Sequence, residues 1–266
     1  MVRMTYRTHG GNSEYWDLRW ANTTVDSSEL NVEKYPGKYT TEIVNRTEGP
    51  LLDAGCGAGR ALIFCHDLGR EVVGIEYSQT AVNKIKTHRP EVDAQQGDIM
   101  NLAFPDQAFA GVMAFGLYHN LETGCDKALA ETFRVMKPGG LLVASMRLNN
   151  LENRINDWIE DKKYKMSTEQ AFHKANYTVS EFHKLLTNAE FVVERIDYME
   201  NMPLFYKFRI FRHADHKEFD ERKGRAEGYK LNWLADKAQR FLSAGFPRSF
   251  CNIMVAIARR PEGWGR

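Results

Sequence analysis

The sequence predicts an α/β fold, a doubly wound and mostly parallel sheet with helical additions over one edge. Three observations point there. Strand and helix signals alternate through five strands between residues 50 and 146. A glycine-rich bend sits where the first of these strands meets a helix, and acidic residues follow at the ends of the next two strands. Strand, helix, strand at this rhythm requires crossovers, and crossovers make neighbouring strands parallel. The chain has 266 residues, 43% of them hydrophobic, so one domain over 1–266 can bury a sizeable core.

Residues 1–40 are polar and broken by Gly10-Gly11 and Pro36-Gly37, yet residues 13–20 hold Tyr15, Trp16 and Trp20. They read as a short helix packed on the core, within a lid segment. Pro50 to Ala54 reads as a short buried strand and Arg60 to Leu68 as a helix ended by Gly69. Glu71 to Glu76 is a second strand, and Ser78 is a good N-cap for the helix that must stop before Pro90. Further strands are expected at Val92–Gln96, Phe109–Phe115 and Leu141–Met146. An amphipathic helix spans Asp126–Met136 and is stopped by Lys137-Pro138-Gly139-Gly140. Later come a helix (Val179–Leu186), a strand (Phe191–Tyr198) and a closing strand (Cys251–Ala258). Residues 148–177 and 203–247 read as substrate-cap insertions, the second helical. Within it, Leu204, Phe208 and Phe211 would share one helical face, and 215–230 reads as a solvated, charge-dense face.

A net charge of +1 gives no global field for nucleic acid. Cys56, Cys65, Cys125 and Cys251 show neither a CxxC pair nor metal-ligand spacing, so no metal is expected. No secretory signal or membrane span is visible, which makes the cytoplasm the expected location. Contact with a membrane surface stays open for the aromatic and basic stretch 204–212. Oligomeric state is not legible.

Asp53-Ala54-Gly55-Cys56-Gly57-Ala58-Gly59 lies between strand and helix, where α/β sheets bind nucleotides. Its glycines allow positive φ and close approach of a ligand to the backbone. Asp53 suits a cationic or hydroxyl-bearing group, and Glu76 stands where an acid reaches ribose hydroxyls. A dinucleotide fingerprint would need a third glycine at position 60, which is Arg60. The G-x-G-x-G spacing favours a cofactor with no pyrophosphate to seat on the helix.

With Leu51 to Gly59, Val73 to Ser78, Gln96-Gly97-Asp98-Ile99 and Phe133 to Gly140 in this order, the chain resembles the class I S-adenosylmethionine-dependent methyltransferases, in their small-molecule branch. The resemblance covers residues ~50 to ~146 and carries more weight than any single motif. It implies a Rossmann-like sheet of seven strands with the last antiparallel. It also implies S-adenosylmethionine as cofactor, held by Asp53, Gly55, Gly57, Gly59, Glu76, Tyr77, Asp98, Ile99 and Phe115. Glu76 would grip the ribose hydroxyls, Asp98 would face the adenine amino group and Ile99 its ring.

Methyl transfer from a sulfonium is an in-line displacement, so the protein chiefly positions nucleophile and donor; near-attack positioning is worth about 7–11 kcal/mol. His119, after the fourth strand, is the side chain whose ordinary pKa best suits a base near neutrality, and Tyr118 is a candidate for lining the acceptor pocket. A histidine base somewhat favours oxygen acceptors among small molecules. The Asp/Asn-Pro-Pro-aromatic motif of many nucleobase and amide methylases is missing here, and no metal cluster stands out. Tyr15, Trp16 and Trp20 could close over the cofactor and face the sulfonium, or simply pack. Two other readings compete: a module that binds the cofactor without turnover, and a nicotinamide-dependent oxidoreductase, which Arg60 and Asp53 disfavour.

Overall fold

The computed structural model describes residues 1–7, 12–21, 30–164, 171–220, 223–224 and 227–263. Parts of the lid segment (8–11, 22–29) and of both cap segments (165–170; 221, 222, 225 and 226) lie outside the described residues. The central sheet contains β2 (Leu51–Ala54), β3 (Val72–Glu76), β4 (Ala94–Gln96), β5 (Phe109–Ala114), β6 (Met136–Arg147), β8 (Val192–Met199) and β9 (Ile253–Arg259). Their order is β4-β3-β2-β5-β6-β9-β8, parallel throughout except for β9, which runs antiparallel to both its neighbours. The expected sheet of seven strands with the last reversed is what forms.

The central strands β2, β3, β5 and β9 are buried on both faces, which explains why they read as apolar runs instead of alternating patterns. One core layer gathers Leu52, Val112, Leu142, Met146 and Phe182; the other gathers Leu51, Leu62, Ile85, Met113 and Val143. Helices α2 (Gly37–Arg46), α3 (Arg60–Asp67), α4 (Gln79–His88), α5 (Asp126–Val135) and α7 (Val179–Asn188) flank the sheet. Ser78 caps α4 by accepting from the Ala81 amide at 3.3 Å. Thr178 and Glu181 form a reciprocal capping box at α7.

Two expectations fail, and two contacts were not expected. Lys137-Pro138-Gly139-Gly140 does not separate helix from strand: β6 begins at Met136, paired with Phe109, and the next paired residues are Gly111 and Leu141. Residues 137–140 are therefore a bulge inside β6, turned by Gly139 at φ +74°. The lid is tied down by β1 (Arg3–Arg7), which pairs antiparallel with β7 (Ala171–Asn176) in a separate two-stranded sheet. Nothing in the sequence marks a pairing between partners about 170 residues apart.

Residues 204–212 form no α-helix. Short 3₁₀ turns at Leu204–Lys207 and Arg209–Phe211 are separated by an extended Phe208, so Tyr206 is buried and Phe208 is left exposed. The charge-dense stretch 215–230 is mostly exposed among its described residues, as expected, but His216 is buried beneath Tyr206, whose hydroxyl meets His216 Nδ1 at 2.9 Å. The long helix of this segment is α8 (Trp233–Gly245), followed by the single turn α9 (Pro247–Phe250).

Two cap helices are turned with polar residues inward. Helix α6 (Leu151–Tyr164) buries Glu152, Asn153, Asn156 and Asp157, while Leu151 and Trp158 are exposed. Helix α8 buries Gln239 and leaves Trp233, Leu234 and Phe241 outside. No helix among the described residues is long and apolar enough to cross a membrane.

Candidate active site

The tips of β2, β3, β4 and β5 open into one cleft of about 2060 Å³, roofed by α1 (Asn12–Ala21), α6, α8 and the turns after β8. Typical small-molecule pockets span about 300–1,000 Å³, so this cleft has room for two ligands.

Its floor is the glycine bend. Gly55, Gly57 and Gly59 have φ of +71°, +55° and +82°, all left-handed. The Gly55 and Cys56 amides donate to the Ile75 carbonyl at 2.8 and 2.9 Å, tying the bend to the neighbouring strand. Glu76 completes the junction: its carboxylate accepts from the Gly57 amide at 2.9 Å and from the Ser78 amide at 3.1 Å. Those two bonds favour the carboxylate, but burial outweighs them and raises the Glu76 pKa. Burial likewise pushes Asp53 up to about 7, against the bond from the Leu62 backbone. Both acids line the cleft.

The remaining predicted residues divide. Tyr77 is half exposed at the rim, and Phe115 stands edge-on to Tyr35 at 5.7 Å. Asp98 is exposed at the rim and uses one oxygen to accept from the Met100 amide at 2.9 Å, as a turn former. Ile99 packs in the core and meets the cleft at its edge. Gly59 does not line the cleft; a Cβ there would come within 3.1 Å of Ile85, so its place is to start α3 against α4.

Tyr118 must also be withdrawn from the site. It is fully buried, its hydroxyl bonded to Thr132 at 2.8 Å, and it does not line the cleft. His119 does, at 8% exposure, with Nδ1 lacking a hydrogen-bond partner. Its pKa is not suited to a base near neutrality: burial first, then the nearby charges of Lys174, Arg147 and Arg19, hold it well below the ordinary value. At neutral pH this imidazole is uncharged.

Several residues of the site were hidden in the sequence. Helix α1 is moored by Asp17, bonded to the Ser78 hydroxyl, and by Lys84, whose ammonium donates to the Trp20 and Ala21 carbonyls at 2.7 and 2.6 Å. That mooring lays Trp20 on the bend, so close that a Cβ on Gly57 would lie 2.7 Å from its ring. Trp16 and Trp20 stack at 6.3 Å, and the cation resting over both rings is Arg19, at 5.5 and 5.9 Å. Ser145 joins Tyr35 (2.9 Å) to the Gly116 amide (2.7 Å), fixing the tip of β5. Only the aromatic density of residues 15–20 hinted at any of this.

The bend fits an adenosyl cofactor on its own geometry. Gly55 and Gly57 present bare backbone to the cleft, and a buried acid stands on each adjoining strand tip. Comparisons with known proteins agree. A family model described as a methyltransferase domain matches residues 52–144. A probable S-adenosylmethionine-dependent methyltransferase of Mycolicibacterium smegmatis is 30% identical over 146 residues, covering 54% of this chain and 52% of that protein. A demethylmenaquinone methyltransferase of Renibacterium salmoninarum is 38% identical over 128 residues, 48% of this chain and 47% of that one. The chain thus spans about half the length of the curated relatives it matches.

Among solved structures, the 4+2 cyclase SpnF aligns over 98% of this chain and 100% of its own, with TM-score 0.60 and 20% identity. The geranyl diphosphate C-methyltransferase of Streptomyces coelicolor A3(2), solved with S-adenosyl-L-homocysteine, aligns over 84% of this chain and 77% of its own, with TM-score 0.56 and 14% identity. These two likenesses are of fold. The bend and its two acids thus lie within residues 52–144, the stretch that is similar to a methyltransferase domain.

Proposed function

We propose that the protein transfers a methyl group from S-adenosylmethionine to an acidic oxygen of a small molecule held between the strand tips and the cap. The observation that carries the reading is the junction at the cleft floor, where Glu76 grips Gly57 and Ser78 beside the buried Asp53. Gly55, Gly57, Asp53 and Glu76 would hold the cofactor, with Tyr77 and Asp98 at the rim. Bound there, S-adenosylmethionine supplies a methyl group already activated on sulfur.

What the chain must then supply is position and charge. His119 has an unpartnered Nδ1 and resists protonation, so as a neutral imidazole it orients the acceptor oxygen by donating an N–H and does not store a proton. The charges that depress it, on Lys174, Arg147 and Arg19, favour an acceptor that arrives as an oxyanion. Oxygen acceptors are thus favoured by the electrostatics, a different ground from a histidine base. The fold alone does not decide the reaction, since a cyclase shares it.

The test is incubation of the purified protein with methyl-labelled S-adenosylmethionine and a pool of acidic phenols, enols and carboxylates. Formation of S-adenosylhomocysteine with label on oxygen is expected. Binding without any turnover would reduce the protein to a cofactor-binding module, and no binding would end the reading.

A further inference from the structure

Beyond the strand tips, the cleft ends in a polar chamber between α6, the turn after β8, the start of β9 and α8. Its lining includes Asn153, Asn156, Glu200, Lys207, Gln239 and Asn252. Helices of a soluble cap ordinarily turn apolar residues inward, and α6 does the reverse. Buried polar groups persist when they are paired, and here the pairing is incomplete.

The shortfall has one sign. Glu152 is fully buried; one oxygen accepts from Asn252 Nδ2 at 3.2 Å and the other, Oε2, has no partner. One turn along α6, Asn156 is 4% exposed, lines the cleft, and leaves its carbonyl oxygen unpartnered. Across the chamber, Glu200 accepts from Gln239 Nε2 at 2.6 Å. Among the described residues no cation forms an ion pair with Glu152 or Glu200; Lys207 is engaged by Glu160. The chamber has acceptor oxygens to spare and too few donors.

We propose that this chamber is a subsite for a cationic amine, an ammonium group of the methyl acceptor bound by Glu200 and Asn156, with Glu152 buried behind the lining and adding its negative charge when ionised. An ammonium brings three donors and the positive charge that the two carboxyls lack. The inference rests on the acceptor lying in this cleft, as argued above. It makes that acceptor bipolar: an oxyanion near His119 and an ammonium under the cap.

The charges around the pair give a second readout. Burial first, then the charge of Glu200, holds Glu152 at about 8, against the bond from Asn252 and the charges of Arg147 and Lys207, which favour its ionised form. Burial, opposed by the bond from Gln239 and aided by the charge of Asp236, holds Glu200 at about 7. Both carboxyls therefore carry substantial protonation near neutral pH, and an arriving ammonium must displace protons from them.

The experiment is calorimetry on the full chain saturated with S-adenosylhomocysteine, titrated with tyramine and with tyrosol, which has a hydroxyl in place of the ammonium. Tyramine should bind roughly tenfold or more tightly than tyrosol, the scale expected for a buried charge-assisted contact. Its binding should release protons, seen as heat that varies with the ionisation enthalpy of the buffer. Glu152→Gln and Glu200→Gln should each reduce the tyramine preference and the proton release, with S-adenosylhomocysteine affinity unchanged. Equal binding of the two probes, no saturable tyramine binding, or a preference indifferent to both substitutions overturns the subsite. Failure of S-adenosylhomocysteine itself to bind would instead count against the cofactor reading.

Discussion

At the scale of single residues, the site depends on backbone that only glycine can provide and on acids kept out of water. Gly57→Ala would place a side chain at φ +55° and drive its Cβ into Trp20. Left-handed backbone alone costs a non-glycine residue about 1–2 kcal/mol, and here the collision is added. Weaker S-adenosylhomocysteine binding, together with faster proteolysis within α1, is the expected outcome. Glu76→Ala removes the acceptor of two amides; at about 1.5–3 kcal/mol for bonds to a charged group, affinity for S-adenosylhomocysteine should fall roughly tenfold to a hundredfold. Calorimetry reads both. His119→Ala should lower turnover while leaving cofactor affinity near normal. Because its imidazole is neutral far below the ordinary range, no limb of the pH–rate profile near 6.5 should belong to it. A limb there that vanishes in the variant would restore His119 as the base.

At the scale of elements, the additions are held by a few polar anchors. Asp157 in α6 is buried and receives Arg3 of β1 at 2.5 Å and Arg147 of β6 at 2.6 Å. One carboxylate thereby ties lid, cap and central sheet together. Removing one partner of a buried ion pair typically costs about 3–5 kcal/mol, because the remaining charges stay desolvated. Asp157→Ala should show that loss in denaturant unfolding, and a loss of only about 0–1 kcal/mol, the range of surface pairs, would mean the cap is held by packing instead. Most of the strand–helix core was readable from the apolar runs of β2, β3, β5 and β9 and from stop signals such as Gly69 and Pro90, whereas α2 (Gly37–Arg46) carries no such signal and was not expected. The 3₁₀ turns of 204–211 were not, since Leu204, Phe208 and Phe211 satisfy a helical spacing that tertiary packing of Tyr206 overrides.

At the scale of the molecule, three buried carboxyls shape the dependence of stability on pH. Asp53, Glu200 and Glu152 hold protons to about 7, 7 and 8 in the folded state. In the unfolded chain such groups ionise near pH ~4. Between those limits the folded state binds more protons, so stability falls as pH rises and grows as pH drops from about 8. Below about 6.5 the buried neutral His119 opposes this gain, because the unfolded state then takes up the proton. Melting temperature of the unliganded protein should therefore climb between about pH 8 and 6.5, and Glu152→Gln should flatten the climb. An unchanged slope in that variant would show that Glu152 is ionised in the folded state.

The sequence by itself determined the sheet, the bend of residues 53–59 and the acid at the next strand tip. These rest on local rules: periodicity, capping, and glycine where φ must be positive. Tertiary structure alone decided that Trp20 lies on Gly57, that Tyr118 turns into the core, and that β1 finds β7. It also decided that α6 faces inward with its polar side. Each joins residues far apart in the chain, and such contacts depend on how separate elements pack, which no local pattern of residues encodes.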